Sequence, residues 1–279
     1  MHTPLSPIKR VLAVNDISCF GQCSLTENSP ILARFGIECV PLPTAILSTH
    51  TGDFSKPTCL DMTEEIKKII AHWNSFGLRF DCVYTGYMPK HQLSIAKELV
   101  LSHKEKGALI LVDPVMGDNG SLYSGFDADH PMKMRALSAC AHVITPNLTE
   151  AMLMTGMEYK SVLSESERYV LYKKLSDIGA KNAVVTGVHP NENEVGDVVI
   201  DENGQILYEQ YLPATHRRLH GCGDVFASVL CARLVNGENL TDAVRCAQTF
   251  TGRAIEITNQ DKENHWYALR FESLMDEIG

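Results

Sequence analysis

Short apolar runs rich in β-branched residues recur along the chain at 11–14, 37–42, 82–85, 108–112, 142–145 and 183–186. Their length and composition predict buried strands. Between them lie segments with helical spacing, at 24–35, 63–75, 91–103, 132–139, 147–155 and 165–178. The alternation predicts an α/β fold: a mostly parallel central sheet flanked by helices on both faces, with ligand sites beyond the C-terminal ends of the strands. Residues 195–210 break the rhythm, because Asn203-Gly204 inside Asp201-Glu202-Asn203-Gly204 fits the tight reversal of a hairpin. Helices are expected again at 224–235, stopped by Gly237, at 241–257 and at 265–278. No internal repeat, low-complexity tract or linker composition interrupts the 279 residues, which predicts a single domain over 1–279.

Composition narrows the class. Apolar residues make up 44% and charged residues 21%, the balance of a globular chain rather than a disordered one. A net charge of −9, with no basic run beyond pairs such as Lys67-Lys68 and Arg217-Arg218, argues against nucleic acid as a partner. Local backbone N–H groups can still hold a small anion against that distant charge. Nine cysteines, at 19, 23, 39, 59, 82, 140, 222, 231 and 246, form no CxxC pair and no zinc spacing. Buried reduced thiols and a cytoplasmic location are the reading that follows. The first ten residues lack a signal-peptide run and no segment reaches 18 apolar residues, so no membrane partner is expected.

If the sheet is parallel, the polar residues that follow each strand gather at one rim: Asn15-Asp16, the stretch 44–53, Thr85-Gly86-Tyr87, the stretch 113–120, the stretch 145–150, and Thr186-Gly187. Asp113 and Asp118 in Asp113-Pro114-Val115-Met116-Gly117-Asp118 could hold a divalent cation, since Mg²⁺ prefers oxygen ligands and usually arrives with nucleotide phosphates; a turn with a solvated acid is the alternative. Asn147 can cap a helix whose Glu150 completes a capping box, and the same geometry points Glu150 toward the rim and a metal-bound water. His220-Gly221-Cys222-Gly223-Asp224 opens an apolar helix. Two glycines one residue apart let backbone N–H groups approach a ligand, and the helix adds the partial positive charge of its first turn. A carboxylate in such an anion-binding turn suits a proton acceptor, a metal ligand or a helix cap, so Asp224 carries one of three roles. No Walker A sequence and no complete GxGxxG is present, which disfavours the common P-loop and dinucleotide folds.

Taken in order, Asn15-Asp16, Ser48-Thr49-His50-Thr51-Gly52, Thr85-Gly86-Tyr87, the 113–118 and 145–150 motifs and Gly221-Cys222-Gly223-Asp224 resemble the pyridoxal kinase branch of the ribokinase superfamily over nearly the whole chain. The resemblance implies phosphorylation of the 5′-hydroxymethyl group of a B6 vitamer (pyridoxal, pyridoxamine or pyridoxine), with ATP as co-substrate and Mg²⁺ as cofactor. It makes Asp224 the general base, with the N–H groups of Gly221, Cys222, Gly223 and Asp224 holding the charge that grows on the transferred phosphoryl. It maps Asp118, Asn147, Glu150, Thr186 and Gly187 to the nucleotide, Asp113, Asp118 and Glu150 to the metal, and Asp16, His50, Thr51 and Tyr87 to the pyridine ring. It also implies a homodimer and leaves the need for a monovalent cation open. The chain departs from the family pattern at Asp16, where serine is frequent, at Cys222, where threonine is frequent, and at Met88-Pro89 after Tyr87. Those departures leave the preferred acceptor open and raise the question whether the Cys222 thiol is activated by the helix N-terminus. The alternatives are a hydroxymethylpyrimidine kinase of the same fold and a regulator that binds nucleotide or vitamer without catalysis.

Overall fold

The computed structural model describes residues 7–52, 54–214, 219–261, 263 and 265–278; Asp53 and the Arg217-Arg218 pair lie outside the described residues. The first half of the chain runs β1 (Arg10–Phe20), α1 (Leu25–Arg34), β2 (Glu38–Thr49), β3 (Cys59–Asp61), α2 (Thr63–Ser75), β4 (Cys82–Thr85), α3 (Leu93–Lys104) and β5 (Leu109–Val112). A small ribbon, β6 (Gly117–Asp118) with β7 (Ser121–Leu122), then leads to α4 (His130–Ser138), β8 (Val143–Ile144), α5 (Leu148–Thr155) and α6 (Glu165–Ser176). Last come β9 (Asn182–Asn191), β10 (Glu194–Asp201), β11 (Ile206–Pro213), α7 (Cys222–Val235) and α8 (Leu240–Gln260).

The main sheet has nine strands in the order β11-β10-β9-β8-β5-β4-β1-β2-β3. From β9 to β2 every neighbouring pair is parallel, and only the two margins, β3 on one side and β10–β11 on the other, run antiparallel. The expected α/β sandwich is therefore what forms, and the reason lies in the strand residues. Leu12, Val14, Val83, Ile110, Val112, Ile144 and Val185 pack into one core, while their neighbours Val11, Cys82, Tyr84, Leu111, Val143 and Val184 pack into the other. Period-two alternation between two apolar cores explains why these runs show no polar face. One core is closed by α2 to α6, through Ile66, Val100, Met134, Met152 and Leu171; the other is closed by α1, α7 and α8, through Ile31, Val229 and Val244. Helix α7 lies between α1 and α8 and is buried at every position from Val225 to Ala232, so it is apolar all round.

Several elements differ from expectation. The strands β1 and β2 run past the rim to Phe20 and Thr49, the ribbon β6–β7 forms inside the stretch read as a loop, and β9 continues into a second hairpin with β10 ahead of the expected β10–β11 reversal. The helix expected at 265–278 does not form; only Glu272–Glu277 coils, as a short 3₁₀ turn. Its backbone finds partners elsewhere: Leu269 N–H donates to His220 O at 3.0 Å and Arg270 N–H to Thr258 Oγ1 at 2.8 Å. The apolar spacing that suggested a helix instead buries Ala268, Leu269, Phe271, Leu274 and Ile278 beneath an extended strap. Four cysteines are buried as expected, but Cys19 and Cys59 are exposed. Among the described residues no helix is long and apolar enough to cross a membrane.

Candidate active site

Helix α7 begins at the glycine turn, two residues earlier than the sequence suggests, and its cap is Gly221 in the left-handed region at φ 90° with no side-chain cap bond. Asp224 is thus the third residue of the helix and not its cap. The first helical bond runs from Val225 N–H to Gly221 O at 2.9 Å, so the N–H groups ahead of it have no partner within the helix. Gly223 is exposed, and a Cβ there would meet nothing within 4 Å. Gly221 is the opposite case, since a Cβ on it would fall 2.3 Å from Glu27 Oε1. One side of the turn is open and the other is packed against a buried acid.

The partly exposed Asp224 carboxylate accepts a hydrogen bond from Asn15 Nδ2 at 3.2 Å. Burial, with the nearby Asp16 charge adding to it, pushes its carboxyl up to about 7, while bonds from Ser24 and Asn15 pull the other way. Asn15 also accepts from the backbone N–H groups of Asp16 at 3.1 Å and Tyr87 at 2.7 Å, so one buried amide aligns the middle of β1, the loop after β4 and the α7 carboxylate. The Cys222 thiol is pushed up to about 12, first by burial and then by Glu27. A thiolate is disfavoured there, against the idea that the helix terminus activates it; the residue contributes its backbone.

Asp16 is buried, accepts from Ser18 Oγ at 3.1 Å, and has its carboxyl raised by burial. Tyr87 lies close enough to feel it: burial and then the Asp16 charge push the phenol up to about 12, and its ring tilts against Phe126 at 5.6 Å. The structure therefore brings Asp16, Tyr87 and Asp224 to one rim. His50 is buried with both ring nitrogens engaged by backbone, Gly52 N–H donating to Nδ1 at 3.0 Å and Nε2 lying 2.6 Å from Tyr267 O. With Nδ1 accepting, the proton sits on Nε2, and the ring pins the C-terminal strap to the loop after β2. Thr51 is exposed on that loop, and a Cβ at Gly52 would meet the His220 ring at 2.4 Å, so the loop rests beside the glycine turn.

Farther along the rim, Asn147 and Glu150 form the anticipated capping box at the start of α5. Glu150 Oε2 accepts from Asn147 N–H at 2.9 Å and Oε1 from Met116 N–H at 3.0 Å, while Asn147 Nδ2 donates to Gly117 O at 2.9 Å. Glu150 thus holds the loop after β5 onto α5, and burial pushes its carboxyl up to about 8. Asp113 is buried, and burial together with the Glu150 and Asp224 charges raises it far above the usual carboxylate range. Asp118 stands partly exposed, accepting from Asn119 N–H at 2.8 Å. Among the described residues no three His, Cys, Asp or Glu side chains gather as a complete metal cage. Mutually repelling carboxyls fit Mg²⁺ that arrives coordinated by phosphate and water, the manner in which this ion is usually held. Thr186 and Gly187 lie beside them, Thr186 bridging to Asn147.

The family model for phosphomethylpyrimidine kinase matches residues 33–267. The chain belongs to that family. A crystal structure of a candidate phosphomethylpyrimidine kinase from Bacteroides thetaiotaomicron, obtained with pyridoxal, superposes with a TM-score of 0.91 at 33% identity, covering 98% of this chain and 96% of that one. Pyridoxal kinase from Lactobacillus plantarum superposes with a TM-score of 0.86 at 29% identity, covering 98% and 97%. A hydroxymethylpyrimidine/phosphomethylpyrimidine kinase of Staphylococcus aureus is 29% identical over 175 residues, 60% of this chain and 62% of that protein. The chain spans about half to two thirds of the length of the curated relatives matched most strongly in sequence.

Three side chains that shape the site had no functional reading from sequence. Asn28 Nδ2 donates to Ser228 Oγ at 2.9 Å, and Ser228 Oγ donates to Asp224 O at 2.6 Å, a link between α1 and the first turns of α7. Glu27 is fully buried, neither of its oxygens has a hydrogen-bond partner among the described residues, and burial with the charges of Asp224, Glu272 and Asp16 raises its carboxyl well above the usual carboxylate range. Glu27 and Asn28 on the buried face of α1 were the available signal, but the partner of Asn28, Ser228, lies 200 residues away.

Proposed function

We propose that the chain transfers the terminal phosphoryl group of ATP to the hydroxymethyl group of a B6 vitamer. The observation that carries this reading is the start of α7: an open glycine turn with no side-chain cap, whose N–H groups lie ahead of the first helical bond, and beside it a carboxylate whose affinity for protons is set near neutrality. Asp224 accepts the acceptor hydroxyl proton as the oxygen attacks the phosphorus and ADP departs, and the N–H groups of the turn carry the growing negative charge. Asn15 keeps the Asp224 carboxylate aimed at the rim. Asp16 and Tyr87 read the heteroaromatic ring, the acid by hydrogen bonding and the phenol by covering a face. Asp113, Asp118 and Glu150 would hold Mg²⁺, which supplies charge neutralisation for the phosphates, with Asn147, Thr186 and Gly187 on the nucleotide side.

A second reading, phosphorylation of hydroxymethylpyrimidine, has the family model in its favour. The pyridoxal found with the Bacteroides relative favours the pyridine. Purified protein supplied with Mg²⁺ and ATP should phosphorylate at least one of pyridoxal, pyridoxamine and pyridoxine with a kcat/KM about tenfold or more above that for hydroxymethylpyrimidine. The reverse order would transfer the assignment to the pyrimidine, and no phosphorylated product from any of the four would remove catalysis from the reading.

A further inference from the structure

The strands β9 and β10 do not pair evenly. Gly196 faces Val188 and Val198 faces Val185, which leaves Thr186 and Gly187 of β9 opposite the single residue Asp197. Two residues against one is a β-bulge, a device that re-aims side chains and frees backbone from the ladder. Gly187 adopts φ 66° within it, and Thr186 turns to the other neighbour, its N–H donating to Pro146 O at 2.9 Å beside the cap of α5. The bulge is what places this pair at the rim.

An extra residue in a strand relaxes unless something holds it. Asp197 is 8% exposed and stands directly opposite the two bulge residues, its carboxylate within electrostatic reach of the Gly187 backbone N–H and of the Gln248 side chain on α8. Gln248 is itself 7% exposed and fully used: Nε2 donates to Gln210 O at 3.0 Å and Oε1 accepts from Tyr208 hydroxyl at 3.3 Å. Burial pushes the Asp197 carboxyl up to about 7 while the Gly187 and Gln248 groups pull the other way, and among the described residues no cation pairs with it, so the acid bears on local geometry rather than adding surface charge. Hydrophobic residues occupy the adjoining β10 positions, Val198, Val199 and Ile200, so the acid stands out from its own strand.

We propose that Asp197 is a positioning residue for the nucleotide: facing the bulge from the opposite strand, its buried side chain keeps Thr186 and Gly187 in the shape that receives the phosphate donor. This rests on the assignment of that bulge to the nucleotide side in the proposed function. It predicts that a side chain touching neither substrate controls affinity for ATP and ADP while leaving acceptor binding alone.

The test compares wild type with D197N, which keeps shape and loses charge, and Q248A, which removes one of the two groups within its reach. ADP binding is measured by calorimetry in the presence of Mg²⁺, and KM for ATP, KM for the acceptor and kcat by a coupled assay. The expected result is a rise of about tenfold in ADP Kd and ATP KM for D197N and about threefold for Q248A, the loss of a charged and a neutral contact respectively, with acceptor KM and kcat within twofold. Q248A carries the test if D197N fails to fold. Unchanged ADP affinity in the folded variants, or a fall in kcat without a change in ATP KM, would overturn the inference and leave the proposed function standing. A wild-type protein that binds neither ADP nor ATP would overturn both.

Discussion

Glu150 and Asp224 occupy the same place on two helices, the third position of α5 and of α7, and both carboxyls are raised toward neutrality, to about 8 and about 7. Their fates differ because of the residue three places earlier. Asn147 has a side chain that accepts Glu150 N–H at 2.9 Å, and the longer Glu150 reaches back to Asn147 N–H, so donor and acid consume each other. Gly221 has no side chain to offer and Asp224 is one methylene shorter, so no side chain caps the turn and the acid is held from outside its own helix, by Asn15. A capping box makes a joint, and its absence at an equivalent helix start leaves an open edge.

The largest break in this comparison is removal of the acid that remains available. Asp224→Asn should lower kcat by about 10²- to 10⁴-fold, the usual contribution of a general base, with ADP affinity within about twofold. A coupled assay and calorimetry together check this. The same variant has an opposite effect on stability. The folded carboxyl binds its proton more tightly than the unfolded chain does, so ionisation costs stability as pH rises from about 4 through about 7. Asparagine removes that cost, and at pH 8 the variant should be more stable by about 1–2 kcal/mol, the side chain's partial contact with solvent limiting the gain. Denaturant unfolding should show a difference at pH 8 that is about two to three times the one at pH 5.

Next in size is closing the open turn. Gly221→Ala puts a Cβ 2.3 Å from a Glu27 oxygen that is fully buried and demands φ 90° from a residue that disfavours it. A loss of about 2–3 kcal/mol of stability and more than tenfold in kcat is expected, whereas Gly223→Ala, inside the helix with open space around its Cβ, should leave stability unchanged or raise it by up to about 1 kcal/mol. Equal damage from the two would mean that only one face of the turn was misjudged. Asn147→Ala tests the other helix: losing the cap should cost about 1–2 kcal/mol by denaturant unfolding, with kcat falling less than for either change at α7.

The contrast also shows what a sequence can disclose. The α5 box was legible because its partners are three residues apart, and the β-sheet core was legible because alternating burial leaves continuous apolar runs from Val11 to Val14 and from Ala183 to Val185. Asp224 stood out by its glycines, yet its role as cap was excluded only once the helix was seen to start at Cys222. Asn15 gave a motif without a reason, because its four partners come from α1, α7, the loop after β4 and its own neighbour. The strap at 265–271 was misread for a related reason: apolar spacing reports which side chains are buried, and here Leu269 N–H found His220 O instead of a helical carbonyl.

The smallest expected effect sharpens the comparison furthest, because it changes the affinity of Asp224 for its proton without removing it. In Asn15→Asp the new carboxylate can still accept the Asp16 and Tyr87 N–H groups, but it cannot donate to Asp224 and adds a like charge next to it. Both changes disfavour ionised Asp224, so its carboxyl must rise above about 7. A base works only when ionised, so the acid limb of the kcat profile, expected near pH 7 in the wild type, should move up by about one pH unit and the variant should regain most of its rate by pH 9. Glu150 already has its full set of backbone donors and lies outside this exchange, so the unfolding profile of the α5 joint should stay unchanged. A variant that stays equally slow at every pH would mean that Asn15 serves only to hold the β1 and β4 loops together, and that some other group sets the ionisation of Asp224.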